Sequence, residues 1–146
     1  MSRIVPFDRS HMPAILAGGE AEGSLSGDFY VNEKLLAGLE QQNSWTLLAA
    51  DDAPIACGGI IELWKNRYMC WMYLNKRSGD YMLAVTRAVK AALKGNGKGR
   101  YEMAVKHDFT AGHRWAKLLG FHIETPTMLN YGPNGEDCTG YVRIQK

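Results

Sequence analysis

Apolar residues recur along this chain at two different spacings, and the switches between them mark out its elements. Ile4 to Phe7 reads as a short strand. Asp8 is placed to cap the helix after it, with Met12, Ile15 and Leu16 at helical spacing and Gly18-Gly19 as its stop. Glu20 to Gly27, rich in Gly, Ser and Glu, reads as a loop, whether one that shapes a binding site or a plain surface connection. Asn32 is placed to cap a second helix carrying Leu35, Leu36 and Leu39. Trp45 to Ala50 is then strand-like, Asp51 to Pro54 a turn, and Ile55 to Trp64 a nearly continuous apolar strand. Lys65 to Arg67 turns the chain into Tyr68 to Leu74, which completes an antiparallel meander.

From Asp80 to about Lys94 the period lengthens again. Met82, Val85, Val89, Ala92 and Leu93 fall on one helical face, with Arg87, Lys90 and Lys94 mostly elsewhere. Gly95 to Gly99 stops this helix, and Tyr101 to Lys106 reads as a strand parallel to the previous one because a helix intervenes. Asp108 or Thr110 can cap a last helix that ends at Gly120. Alternation from Phe121 to Tyr131 predicts a half-exposed strand; Asn134-Gly135 follows as a turn, and Thr139 to Ile144 as the final strand. The expected architecture is mixed α/β (α+β): one domain over 1–146, a mostly antiparallel central sheet of six to seven strands, and about four helices.

Composition narrows the function classes. With 46% hydrophobic residues the chain has a core to bury, which excludes a disordered protein. A net charge of +2 is too small to imply a nucleic-acid binder, and Lys90, Lys94, Lys98, Arg100 and Lys106 read as a solvated face. No apolar run approaches the ~18 residues that span a membrane, and the first residues lack the apolar core of a signal peptide. Three cysteines without paired spacing suit reduced thiols and a cytoplasmic setting. His107, Asp108 and His113 lack metal spacing, so no metal site is expected.

The stretch from Tyr68 to Phe121 carries the functional information. A strand, a basic turn with one glycine, a helix, a second strand and a short helix leave a helix N-terminus at a strand end, where phosphate binds well. Trp71-Met72-Tyr73-Leu74, then Lys76-Arg77-Ser78-Gly79-Asp80-Tyr81, then Trp115 to Leu119-Gly120-Phe121, resemble the core of the GCN5-related N-acetyltransferases, the GNAT family. Those proteins carry an Arg/Gln-x-x-Gly-x-Gly/Ala pyrophosphate loop and a Leu-Gly-Phe-like closing triplet. Here Lys76 takes the basic position, Gly79 is retained, and Tyr81 stands where a small residue is usual. Small divergent members of this kind occur among bacteriophage proteins.

The resemblance implies an acetyl-CoA-dependent transferase acting on a primary amine, of a small molecule or a protein, by direct attack on the thioester. It implies that backbone N–H groups of Arg77, Ser78, Gly79 and Asp80, with charge from Lys76 and Arg77, hold the pyrophosphate. It implies further that the backbone of Met72, Tyr73 and Leu74 lies along the pantetheine arm. A lysine-like amine has a pKa near ~10.4, so a base is needed. His107, at the end of the second parallel strand and with an ordinary pKa near ~6.5, is one candidate; Glu62 is a second and His113 a third. The family's usual thiolate-protonating tyrosine is replaced by Ala116, with Tyr131 or Tyr73 as stand-ins, and its cofactor-side asparagine falls near Asp108 or Phe109. These departures also fit a protein that kept the fold, lost the reaction, and serves as a protein-binding or virion-associated module.

Overall fold

The computed structural model of the protein describes residues 1–17 and 33–146. The helix stop at Gly18-Gly19, the loop Glu20 to Gly27 and the cap at Asn32 lie outside the described residues. The elements run β1 (Arg3–Pro6), α1 (His11–Ala17), α2 (Glu33–Glu40), β2 (Asn43–Leu48), β3 (Pro54–Trp64), β4 (Arg67–Leu74), α3 (Met82–Asn96), β5 (Gly99–Lys106), α4 (Thr110–Leu118), β6 (His122–Met128) and β7 (Cys138–Gln145). The seven strands form one sheet in the order β1-β2-β3-β4-β5-β7-β6. All neighbours are antiparallel except β4 and β5, which α3 joins in parallel.

Strand alternation sends successive side chains to opposite faces, and each face has its own helices. On one, Cys57 and Tyr73 pack with Phe7, with Met12 and Ile15 of α1 and with Leu36 and Leu39 of α2. On the other, Ile60, Tyr101, Val105 and Tyr141 pack with Leu93 of α3 and Ala116 of α4. Burying Leu93, 1% exposed, contributes about 1.5–3 kcal/mol relative to leaving it in water.

Among the boundaries that differ from the sequence reading, four have a local reason. α3 starts at Met82 rather than Asp80, because Lys76–Tyr81 is first wound as a 3₁₀ turn. It continues through Gly95 to Asn96, whose amide group donates to the Tyr101 hydroxyl. α4 is not capped by Asp108 or Thr110: Phe109 holds the cap position without a side-chain bond. β6 ends at Met128, since Asn130 turns the chain at φ +54°, and it is exposed along almost its whole length. As the sheet's edge, β6 has no layer on either face, so alternation there does not sort buried from exposed.

Candidate functional site

β4 pairs with β3 along its whole length, Leu74 to Arg67 against Ala56 to Trp64. β5 likewise pairs with β7 from Gly99 to Lys106. Between them, pairing covers only Arg67–Arg100, Tyr68–Tyr101 and Met69–Glu102, after which β4 and β5 separate. The sheet is therefore two blocks joined by a three-residue seam.

That seam is closed from both sides. On the α1/α2 face, Arg67 pairs with Glu102, with Nη2 3.1 Å from Oε1 and a second, shorter bond from Nε to Oε2. Arg100 Nε reaches Glu102 at 3.0 Å, and its far nitrogens reach Glu124 on β6. Hydrogen bonding from Arg67, reinforced by Arg100, holds the Glu102 carboxyl below the usual carboxylate range. On the α3/α4 face the rings of Tyr68 and Tyr101 stack with centroids 5.0 Å apart. Gly99 makes that stack fit: at φ +149°, a Cβ there would lie 2.7 Å from the Tyr68 ring.

Above the seam the separated strands line part of a cleft of about 1270 Å³, whose wall also includes Ile4 of β1, Leu47 of β2 and Ile61 of β3. Met72 and Leu74 of β4 face Met103 and Val105 of β5, with Trp71 and Trp115 among the other lining residues. Trp115 is fixed by an indole N–H bond of 2.9 Å to Thr86 Oγ1 on α3. Tyr131, Gly132 and Pro133 of the β6–β7 loop also line it.

The turn after β4 is organised by Asn75, a 2% exposed residue that sequence reading passed over. Its N–H donates to Ile55 O, its Oδ1 accepts from Arg77 N–H at 2.9 Å, and its C=O accepts from both Ser78 N–H and Ser78 Oγ. The amides of Arg77 and Ser78, expected to grip a pyrophosphate, are thus engaged within the turn. Arg77's guanidinium is 3.2 Å from Asp51 on the β2–β3 turn, so its charge is shared as well. Lys76 and Asp80 are exposed. Gly79 stands open, with nothing within 4 Å of where a Cβ would sit. Tyr81 packs on the Leu47, Ile55 and Val85 cluster and does not line the cleft.

None of the three candidate bases lines the cleft wall, and the first two, His107 and Glu62, stand in different places. His107 is exposed; its Nδ1 lies 3.5 Å from Thr139 Oγ1 on β7, and its N–H donates to Asp137 O. Its carbonyl accepts from His113 Nε2, whose other ring nitrogen lies 2.7 Å from the Tyr141 hydroxyl, so His113 ties α4 to the end of β5. Glu62 is exposed at the seam end, opposite Tyr68. It lines a separate polar recess of about 230 Å³ with Gln41, Gln42 and Tyr68. At a strand rise of ~3.3 Å per residue, the two candidates sit on the order of 20 Å apart. Glu62 is the nearer in connection, because Asn43 and Asn96, bonded at 3.1 Å, line both recess and cleft. Of the cofactor-side residues, Met72 and Leu74 line the cleft, Tyr73 is buried against α1 and α2, and Asp108 is exposed. Of the two tyrosines considered as proton donors, Tyr131 lines the cleft and Tyr73 does not.

No protein-family model and no curated protein matches the chain. Solved structures do. Ard1 from Thermoplasma volcanium aligns over 99% of this chain and 98% of its own, with a TM-score of 0.77 and 16% identity. The ribosomal-protein-S18-alanine N-acetyltransferase from Escherichia coli aligns over 100% and 95%, with a TM-score of 0.74 and 16% identity. A chain of the NatC complex, solved with a Gag peptide and CoA, aligns over 99% of each chain at a TM-score of 0.73 and 14% identity. The chain has the GNAT fold. At these identities the likeness is one of backbone architecture.

On this GNAT scaffold the cleft is chemically plain. Among the described residues that line it there is no carboxylate and no imidazole. Its two thiols are neutral: burial pushes Cys70 up to about 12 and raises Cys57 as well. Neither supplies a thiolate, so nothing there favours a covalent acyl-enzyme step. Among the described residues no group of three His, Cys, Asp or Glu is placed to hold a metal ion, and no helix is long and apolar enough to cross a membrane.

Proposed function

We propose that this protein is an N-acetyltransferase that carries the acetyl group of acetyl-CoA to a primary amine by direct attack on the thioester. The observation that carries the reading is the separation of β4 from β5 above a three-residue seam, with Gly79 open at the turn beyond β4. A slender thioester arm fits such an apolar slot, and the β5-facing edge of β4 beyond Met69 runs alongside it. The Lys76 ammonium and the backbone at Gly79 and Asp80 are what we assign to the phosphates, since the turn engages the amides of Arg77 and Ser78. The amine nitrogen bonds to the thioester carbon, the C–S bond breaks, and the amine's proton passes to water or a nearby base. We assign that base to Glu62 acting through water at the Asn43–Asn96 bridge, ahead of His107. Tyr131 is the hydroxyl best placed to protonate the departing sulfur. Neighbouring structures named as ribosomal-protein-alanine acetyltransferases support the reaction class, and three free cysteines suit a cytosolic setting, in the host if the chain is bacteriophage-encoded.

A second reading is favoured by the plain cleft: a GNAT-fold module that binds its ligand or a protein partner without turning it over. Calorimetry with acetyl-CoA, followed by thiol release in the presence of amines, separates the two. Binding with thiol release supports the transferase; binding without release supports the module. No heat of binding at millimolar acetyl-CoA ends the first reading.

A further inference from the structure

Lys106, the last residue of β5, is the only charged side chain among the described residues lining the cleft. It is half-buried, and none of the five ion pairs among the described residues includes it. The carboxylates nearest along the adjoining β6–β7 loop each hold a backbone N–H within that loop. Glu136 Oε1 accepts the Asn134 N–H at 2.7 Å, and Asp137 Oδ1 accepts the Asn130 N–H at 2.9 Å. Alternation along β5 fixes the face. Tyr101 and Val105 pack into the α3/α4 cluster, so Lys106 lies on the opposite face, which carries α1 and α2, away from the helix that follows Gly79.

We propose that the Lys106 ammonium anchors a carboxylate on the acceptor, so that the acceptor is an amine carrying a carboxylate close by, as an α-amino acid does. This rests on the acyl-transfer reading above. Lys106 is in no ion pair among the described residues, and an anionic group entering the cleft supplies a direct partner beside apolar walls. A simple cationic amine meets repulsion instead, so one residue both selects and rejects. The same charge disfavours a protonated amine next to it and raises the neutral, nucleophilic fraction.

Phenylalanine and phenylalaninamide share a body and an α-amine and differ in the carboxylate. With acetyl-CoA, wild-type protein should show a kcat/KM for phenylalanine about tenfold or more above that for the amide. Lys106→Met should bring the two within about twofold, Lys106→Arg should keep the preference, and acetyl-CoA affinity by calorimetry should be unchanged in both. Equal rates in the wild type, a preference that survives Lys106→Met, or weakened acetyl-CoA binding with the preference intact would each overturn the assignment. Should no amine be turned over, the transferase reading fails separately. The anchor is then read by calorimetric titration with N-acetylphenylalanine against its amide. Tighter binding of the acid that is lost in Lys106→Met sustains it, and acid binding no tighter than amide in the wild type removes it.

Discussion

The lower end of the β4–β5 pair and its upper end are built from opposite materials. Below, four charged side chains bridge three strands on one face, and two tyrosine rings stack on the other. Above, apolar side chains face each other across open space, with Lys106 as the sole charge among the described lining residues. Polar contacts with good geometry hold strands at a fixed distance, whereas apolar walls gain by covering whatever fits between them. One pair of strands thus serves as fastening and as receptacle.

The contrast breaks most visibly at the two glycines that stand at its ends. Gly99→Ala places a methyl group against the Tyr68 ring at an unfavourable φ, and should cost about 2–3 kcal/mol in urea denaturation. A loss below about 0.5 kcal/mol would show that this glycine does not close the seam.

Glu102 gives the next largest effect. Its folded-state pKa lies below its ordinary 4.5, so its stabilisation is complete above that value and is lost as pH falls through the lower, folded one. The wild type should therefore lose melting temperature below about pH 4.5 more steeply than Glu102→Gln, which should itself be about 1–2 kcal/mol less stable at pH 7. Parallel pH profiles would take the carboxylate out of the seam's energetics.

At the open end the expectation reverses. Gly79→Ala should leave stability within about 0.5 kcal/mol, because the methyl group meets nothing. Gly79→Phe should leave the melting temperature alone and weaken acetyl-CoA binding about tenfold or more. Unchanged affinity in the Phe variant would move the phosphate site elsewhere. The smallest effect belongs to His107→Gln: its ring faces Thr139 on β7, so turnover should change by less than about twofold. A larger drop would return His107 to the chemistry.

Much of the scaffold was legible because its signals are local. α3 announces itself through Val85, Val89 and Leu93, and the end of α4 through Gly120, which adopts φ +88°. Asn75 was not legible, since a residue that closes a strand and one that caps the next turn look alike in a linear reading. The Arg67–Glu102–Arg100–Glu124 ladder depends on register between strands far apart in the chain, which no local period encodes. Lys106 reads as one more surface lysine until β4 is seen to lean away from it. The likeness to GNAT proteins located the cleft; it did not foretell that Asn75 would take up the loop amides or that all three candidate bases would stand outside the wall.

Each block of the sheet keeps its own ladder of backbone bonds, so whatever enters the gap adds a tie between their upper halves beside the one that α3 and α4 make across one face. An occupant acts as a removable rivet. At a hundred times its dissociation constant it adds about 2.7 kcal/mol against unfolding. Without it, the upper halves are joined through the α3 and α4 layer and, below, by a seam three residue pairs long.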